Sequence, residues 1–439
     1  MQSAGFARHL LACALASVTL VSYANANQPQ ATTAVSTASI STKVQATPAA
    51  VVKHYADIAY ANYFDSLTTA KALQQAIDAF LNSPSEVNLT KAKQAWLAAR
   101  VPYQQTEVFR FGNAIVDDWE GQVNAWPLDE GLVDYVDSSY EHELGNEGAK
   151  ANIIANTTLK IGNNSLDVSK LTPKLLADLN ELGGSEANVA SGYHAIEFLL
   201  WGQDLNGTNA GAGKRPATDY AKGKPCTNGN CERRGQYLKV AAQLLVDDLE
   251  TMVKQWAPDA ANNYRQQLLS NKPEDGLRKM FFGMGSLALG ELAGERIKVA
   301  LEANSPEDEH DCFSDNTHNS HYYNGLGVKN IYFGEYKRVD GSVLTGPSLA
   351  DLVKQKDTNK AKAIASAFSK TEQALQAMVD SANNGVAFDQ LIAANNKEGN
   401  KIPQNAIKAL VAETSAIEMA ANLVGISNLS PDTADHEFK

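Results

Sequence analysis

The sequence predicts an all-α protein of long helices and short connections. Three observations carry this. Apolar residues recur at three-to-four spacing in segment after segment from Pro48 onward. Helix start and stop signals flank those segments, as at Thr172-Pro173 and Gly183-Gly184. Period-two alternation is missing apart from a possible short strand at Lys329–Phe333. A helical bundle, or a pair of bundles, is the natural architecture for such a pattern.

Taken in order, Val51, Tyr55, Ile58 and Asn62 mark a first helix beginning near Pro48, and Leu73, Ile77 and Phe80 a second following Ser66. The latter stops at Asn82-Ser83-Pro84. A third begins after Leu89-Thr90 and runs through Trp96 and Arg100 towards Phe111, with Pro102 expected to kink or restart it. Residues 112–148 are less regular. Thr172 and Pro173 supply an N-cap and first position for the next helix. Ser185 is expected to cap a helix that ends at Gly202. A polar loop over 205–235 precedes helices at Tyr237–Trp256, about 259–269 and about 274–303. Residues 304–346 read as irregular. Ser348 caps a further helix, and helices near 357–381, 386–395 and 405–424 complete the chain.

The chain has 439 residues and a formal charge of −12. An acidic chain has little with which to neutralise phosphates, which argues against nucleic acid as a partner. Arg8 and His9 precede an apolar run from Leu10 to Val21, and Ala24-Asn25-Ala26 fits a small-x-small cleavage site. Residues 1–26 therefore read as a secretory signal, which directs the protein to the periplasm. Leu10-Leu11-Ala12-Cys13 is a faint lipoprotein box, but Cys13 lies too early in the run, so a surface lipoprotein is the lesser reading. Residues 27–47 read as a flexible tether, 48–425 as the helical body and 426–439 as a tail. No later stretch is long and apolar enough to span a membrane. Cys226 and Cys231 bracket Thr-Asn-Gly-Asn and are expected to pair in an oxidising compartment, which leaves Cys312 over.

The most apolar run holds the sharpest chemical signal. In Gly192-Tyr193-His194-Ala195-Ile196-Glu197, His194 and Glu197 lie one turn apart on a helix. Leu199, Leu200 and Trp201 follow, so both should be buried. Buried ionisable groups are paired or bind metal, and imidazole with carboxylate suits a first-row ion. The plainer alternative is a His–Glu hydrogen bond inside a core. Tyr103 to Gly112 echoes this run. Aligning Glu107 with Glu197 also aligns Tyr103 with Tyr193 and Gly112 with Gly202, as two related helices facing one centre would, or as chance similarity would. Glu291 and Glu295 continue the stripe of Leu277, Phe281, Met284 and Ala288. They are inward carboxylates of the kind that build metal sites in bundles, or else partners of Arg296. The stretch 307–321 holds His310, His318 and His321 with Cys312 and several acids, which fits metal binding or a solvated loop. Asp129-Glu130 after Trp126-Pro127 can reach a site from a turn or simply cap the next helix. His142-Glu143 lacks the second His of the zinc-protease motif, and there is no G-x-S-x-G, phosphate loop or dinucleotide fingerprint.

These motifs together resemble the imelysin-like proteins. The resemblance rests on Gly192-x-His194-x-x-Glu197 with Trp201-Gly202, on Trp96-x-x-x-Arg100-x-Pro102-Tyr103, on Thr106-Glu107-x-Phe109-Arg110-Phe111-Gly112, and on Asn124-Ala-Trp-Pro-Leu-Asp-Glu130. It covers roughly residues 50–425. Asp308 to His318 and Gly290 to Ile297 resemble the iron-regulated protein A branch. The resemblance implies two packed helical bundles with the G-x-H-x-x-E site near their interface, and a periplasmic or surface role in iron acquisition. It also brings a metallopeptidase label and relatives in ferrous-iron uptake systems, hence a membrane uptake component as partner. His194 and Glu197 are the family's motif residues, and Arg100, Glu107 and Asp129 match segments that accompany them.

Three functions are therefore expected in descending order. The first is an iron-binding protein using His194, Glu197, Glu107 and Glu291 or Glu295, with Arg100, Asp129, Tyr193, Arg296, His310 and His318 around the ion. The second is a peptidase on the same site, with zinc as the metal. The third is a binding module without metal. A hydrolytic zinc site needs three protein ligands, an open position and a base, and one His and one Glu fall short of that.

Overall fold

The structure, a computed structural model, describes residues 46–142, 144–161 and 164–431. The expected signal peptide, nearly all of the tether, Glu143 and the last eight residues of the tail lie outside the described residues.

The chain folds as helices, as predicted. The first, α1 (Pro48–Asn82), is one helix of 35 residues. Thr47 caps it, with Pro48 in the first turn where its missing N–H costs nothing. The sequence reading placed a break at Ser66. The Ser66 hydroxyl instead donates to the Asn62 carbonyl (2.9 Å), so it stays within the helix rather than starting one. The next helix, α2 (Glu86–Gln104), starts earlier than expected because Ser85 caps it, and stops two residues after Pro102. Glu107 therefore sits on a separate 3-10 turn, Glu107–Phe109, and not on a helix matching that of Glu197. The echo survives in part. The Tyr103 and Tyr193 rings pack 4.7 Å apart, and Gly112 and Gly202 both take positive φ.

Then come α3 (Ala114–Asn124), the short α4 (Glu130–Val133), a hairpin of β1 (Thr158–Ile161) and β2 (Asn164–Asp167), and α5 (Pro173–Leu179) capped by Thr172 as predicted. Ser191, not Ser185, holds the N-cap position of the motif helix α6 (Gly192–Trp201), without a side-chain capping bond. Ser191 is fixed there because its hydroxyl donates to Gln122 O (2.9 Å) and accepts from Gln122 and Asn180. Cys226 and Cys231 are disulfide-bonded, and α7 (Cys231–Trp256) begins at the second of them. Next are α8 (Tyr264–Ser270) and α9 (Pro273–Ser286), which continues as a π-helix over Leu287–Lys298 and then as α10 (Val299–Ala303).

The stretch read as irregular contains α11 (Thr317–Phe333), which replaces the possible strand at 329–333. Its buried face explains the misreading. Thr317, Ser320, His321, Asn324, Gly325 and Gly327 line it, so no apolar period is visible. Gly327 is required there, since a Cβ would lie 2.7 Å from the Gln105 carbonyl oxygen. A second hairpin, β3 (Glu335–Lys337) with β4 (Val343–Thr345), precedes α12 (Leu349–Lys356), α13 (Thr358–Asn383), α14 (Phe388–Ile392) and α15 (Lys401–Leu423). Ser348 caps α12 as predicted, in a reciprocal box with Asp351.

Apolar burial divides into two clusters, and α1 feeds both. Its first half packs with α9, the π-helix, α11, α13 and α15. Its second half packs with α2, α6 and α7. The motif helix thus belongs to one cluster, and α11 and the π-helix to the other.

Glu413 of α15 is buried in the first cluster, and burial pushes its carboxyl up to about 8, against the Thr371 hydroxyl, which pulls down. A raised carboxyl pKa means that folding is favoured fully below the unfolded value near 4.5, and that this contribution fades as pH rises through 8. Glu413→Gln should therefore gain stability over the parent as pH rises from 4.5 to 8, by up to about 5 kcal/mol. Denaturant melts of both proteins across that range check it. A gap that is flat with pH would show Glu413 ionised without penalty.

Candidate metal centre

Gly192 shows why the motif begins as it does. Its φ is +77°, and a Cβ there would lie 2.3 Å from the Val123 carbonyl oxygen. Only glycine lets the chain turn against α3 and enter α6 at this angle. His194 and Glu197 then point inward one turn apart, and both are buried. His194 Nδ1 lies 3.0 Å from Glu197 Oε2. The other carboxylate oxygen, Oε1, accepts from the Ser314 backbone N–H (3.0 Å) and hydroxyl (2.6 Å). With Nδ1 on the carboxylate, Nε2 is the free ring atom, and it has no hydrogen-bond partner despite full burial.

His310 faces it. The two imidazoles meet edge to face with centroids 4.7 Å apart, and Trp126 closes over His310 at 5.4 Å. Neither nitrogen of His310 has a partner. Asp311 follows, and one ligand atom each from His194, His310 and Asp311 lies within 4.8 Å of the others. Among the described residues no other set of three His, Cys, Asp or Glu side chains converges as closely.

The surrounding charges set the protonation. Burial first, and then the Arg100 guanidinium, holds His194 well below the usual imidazole range. Burial, Arg296 and His194 do the same to His310. Both rings are thus neutral at physiological pH, as metal ligands must be. Burial and the Asp311 charge push Glu197 well up, against its bonds from Ser314. Glu197 that keeps its proton donates it to Nδ1 and leaves the ring's own proton on Nε2; a cation held at Nε2 would replace that proton, with Nδ1–H then facing the charged carboxylate. Burial opposes the charge on Asp311, but Arg100 holds its carboxyl below the ordinary value. Arg100 Nη2 donates to Oδ1 (2.9 Å), and Asn316 (2.8 Å) and the Ser320 hydroxyl donate to Oδ2.

Arg100 joins this centre to a second network. Its Nη1 donates to Asn124 Oδ1 (2.6 Å), and Asn124 donates to Glu120 (3.1 Å). Arg110 lies 3.3 Å from Glu120 and 3.6 Å from Glu291. Arg296 donates to Glu291 (2.8 Å), Glu107 (2.8 Å) and Asn324 (2.8 Å). The π-helix makes the Glu291–Arg296 contact possible. Its i to i+5 bonding stacks residues five apart, which an α-helix would turn away from each other.

Of the predicted ligands, then, only His194 stands in the converging set, and Glu197 stands behind it. Glu107 and Glu291 stand outside that set and accept from Arg296, the alternative the sequence had offered for Glu291. Glu295 lies outside the converging set on the same π-helix. Asp129 accepts from Tyr140 (3.0 Å) and Asn146 (2.5 Å) and is not in the converging set. Tyr193 packs on Arg100 at 5.0 Å. His318 is half-buried beside Asn319. His310, expected only near the ion, supplies a ring to the centre, and Asp311 was not singled out. The signal available for Asp311 was its position beside His310 in the acid-rich stretch.

An all-helical framework with two apolar clusters, which buries a His–carboxylate centre behind a left-handed glycine, defines the class. Residues 59–417 match the family described as imelysin, and the chain belongs to that family. Iron-regulated protein A of Synechococcus elongatus is 24% identical over 334 residues, covering 74% of each chain. Two solved structures share the fold. An iron-regulated protein A precursor of Parabacteroides distasonis superposes with TM-score 0.64 at 19% identity, over 86% of this chain and 95% of that one. An imelysin-like protein of Psychrobacter arcticus gives 0.57 at 16% identity, over 88% and 98%.

Proposed function

We propose that this protein binds ferrous iron as cargo between His194, His310 and Asp311, with Glu197 orienting His194. The observation that carries the reading is the buried, unpartnered Nε2 of His194 facing the equally unpartnered ring of His310. Buried polar atoms without partners are rare, and an ion is one of the few things that satisfies them. Two imidazoles and one carboxylate with open positions suit Fe²⁺, and zinc is the natural competitor. The relative from Synechococcus, iron-regulated by name, fits this choice. The signal-like N-terminus supports export to the periplasm, and handing the ion to a membrane iron-uptake component follows from that role.

Burial favours this over peptidase chemistry. His194, Glu197, His310 and Asp311 are each at most 1% exposed, so a peptide bond has no approach to them. A surface cavity of about 710 Å³ lined by Val101, Tyr323, Asn330 and Arg338 shares no residue with the centre.

The test is calorimetric titration of the chelator-stripped, tag-free chain with Fe²⁺ under anaerobic conditions and with Zn²⁺. The reading predicts saturable uptake at the centre. Glu197→Gln keeps the shape but loses the charge behind His194, so affinity should fall roughly 10- to 100-fold. Uptake unchanged in that variant would remove Glu197 from the site, and no uptake by the parent would end the metal reading.

A further inference from the structure

Beyond the first centre, a second group of buried polar atoms lacks partners. Both ring nitrogens of His321 on α11, both carboxylate oxygens of Glu309 and both of Asp389 on α14 make no hydrogen bond, and all three side chains are 0% exposed. Two links join them, one through a ring contact and one through charge. The His321 ring meets Phe388 edge to face at 5.0 Å, which sets Asp389 beside it in sequence. Asp389 and Asp315 both act electrostatically on Glu309. The Thr317 hydroxyl acts on Glu309 too, but makes no hydrogen bond of ordinary length with it. His310 feels the charges of both His194 and His321, and so borders both groups.

Such a concentration is costly unless something fills it. Each buried polar group left unpaired costs about 1–3 kcal/mol, and more when charged. Carboxylates facing one another repel as well. Arg296, the cation whose charge reaches His321, is already engaged by Glu107 and Glu291. A bound cation answers both costs.

We infer that Glu309, His321 and Asp389 form a second cation position, for a divalent metal of the class the first centre takes, with His310 between the two. This rests on the first position being a metal site. The second set has donors of the same types, but its ligand atoms do not converge as closely as those of His194, His310 and Asp311. The second ion is therefore held by fewer direct bonds, with water completing its shell, and more weakly. A weak position beside a tight one, sharing a histidine, is an arrangement for passing the cargo ion in and out.

The experiment is metal stoichiometry of the full chain. Tag-free, stripped protein is titrated with Co²⁺, followed by visible absorption and by metal content after desalting. Two ions per chain are expected, the second bound at least roughly tenfold more weakly, a difference of about 1.4 kcal/mol. Asp389→Asn, nearly isosteric, and His321→Gln should each abolish the second step and leave the first in place, with far-UV circular dichroism confirming the fold. One ion in the parent overturns the second position and leaves the first standing. Two ions persisting in both folded variants overturn it as well. No ion in the parent overturns the metal reading of the first centre, and the second falls with it.

Discussion

Replacing Arg296 with Ala should lower folding stability by about 3–5 kcal/mol, the cost of stranding a buried carboxylate without its counter-charge. Arg296 is 1% exposed and ties Glu107, Glu291 and Asn324 together. Glu107 is 2% exposed and has no other cation as an ion-pair partner among the described residues. The loss should be strongly coupled. Glu107→Gln alone leaves Arg296 with Glu291, and adding it to Arg296→Ala should recover part of the loss, because the stranded charge is then gone. Chemical denaturation of the four proteins in the cycle measures this. Additive losses would mean that Glu107 and Arg296 do not depend on each other.

The second large effect is on binding. His194→Ala removes one of two imidazoles from the centre, so its affinity should fall further than the roughly 10- to 100-fold expected for an outer partner such as Glu197. The same change should abolish the rise in melting temperature that saturating metal gives the parent, since stabilisation by a ligand depends on its affinity for the folded state. Thermal melts with and without Fe²⁺ or Zn²⁺ read both. A metal-dependent shift as large in the folded variant as in the parent would place the ion elsewhere.

The helical class and most helix positions were legible because long amphipathic helices show their period in the sequence. His194 and Glu197 were legible because a single helical turn joins them. The rest of the centre was not, for identifiable reasons. His310 and Asp311 come from a loop, and α11 beside them buries Ser320, His321 and Asn324, so it shows no apolar stripe. Glu291 was read on an α-helical line through Leu277 and Ala288, but the π-helix changes the phase at Leu287 and turns it onto Arg296. Glu107 was read as the twin of Glu197, but α2 ends at Gln104 and leaves it on a 3-10 turn. Both carboxylates looked like ligands because an inward acid looks the same in sequence whether a metal or an arginine awaits it.

The most direct measurement of the central claim is a crystal structure of the chain soaked with Fe²⁺ anaerobically, with anomalous data collected at the iron edge. The account predicts a peak about 2.0–2.2 Å from His194 Nε2 and from one nitrogen of His310, the range of metal–imidazole and metal–carboxylate bonds, with Asp311 completing the set. A peak on Glu107 and Glu291 instead, or ordered His194 and His310 rings with no peak between them, would contradict it.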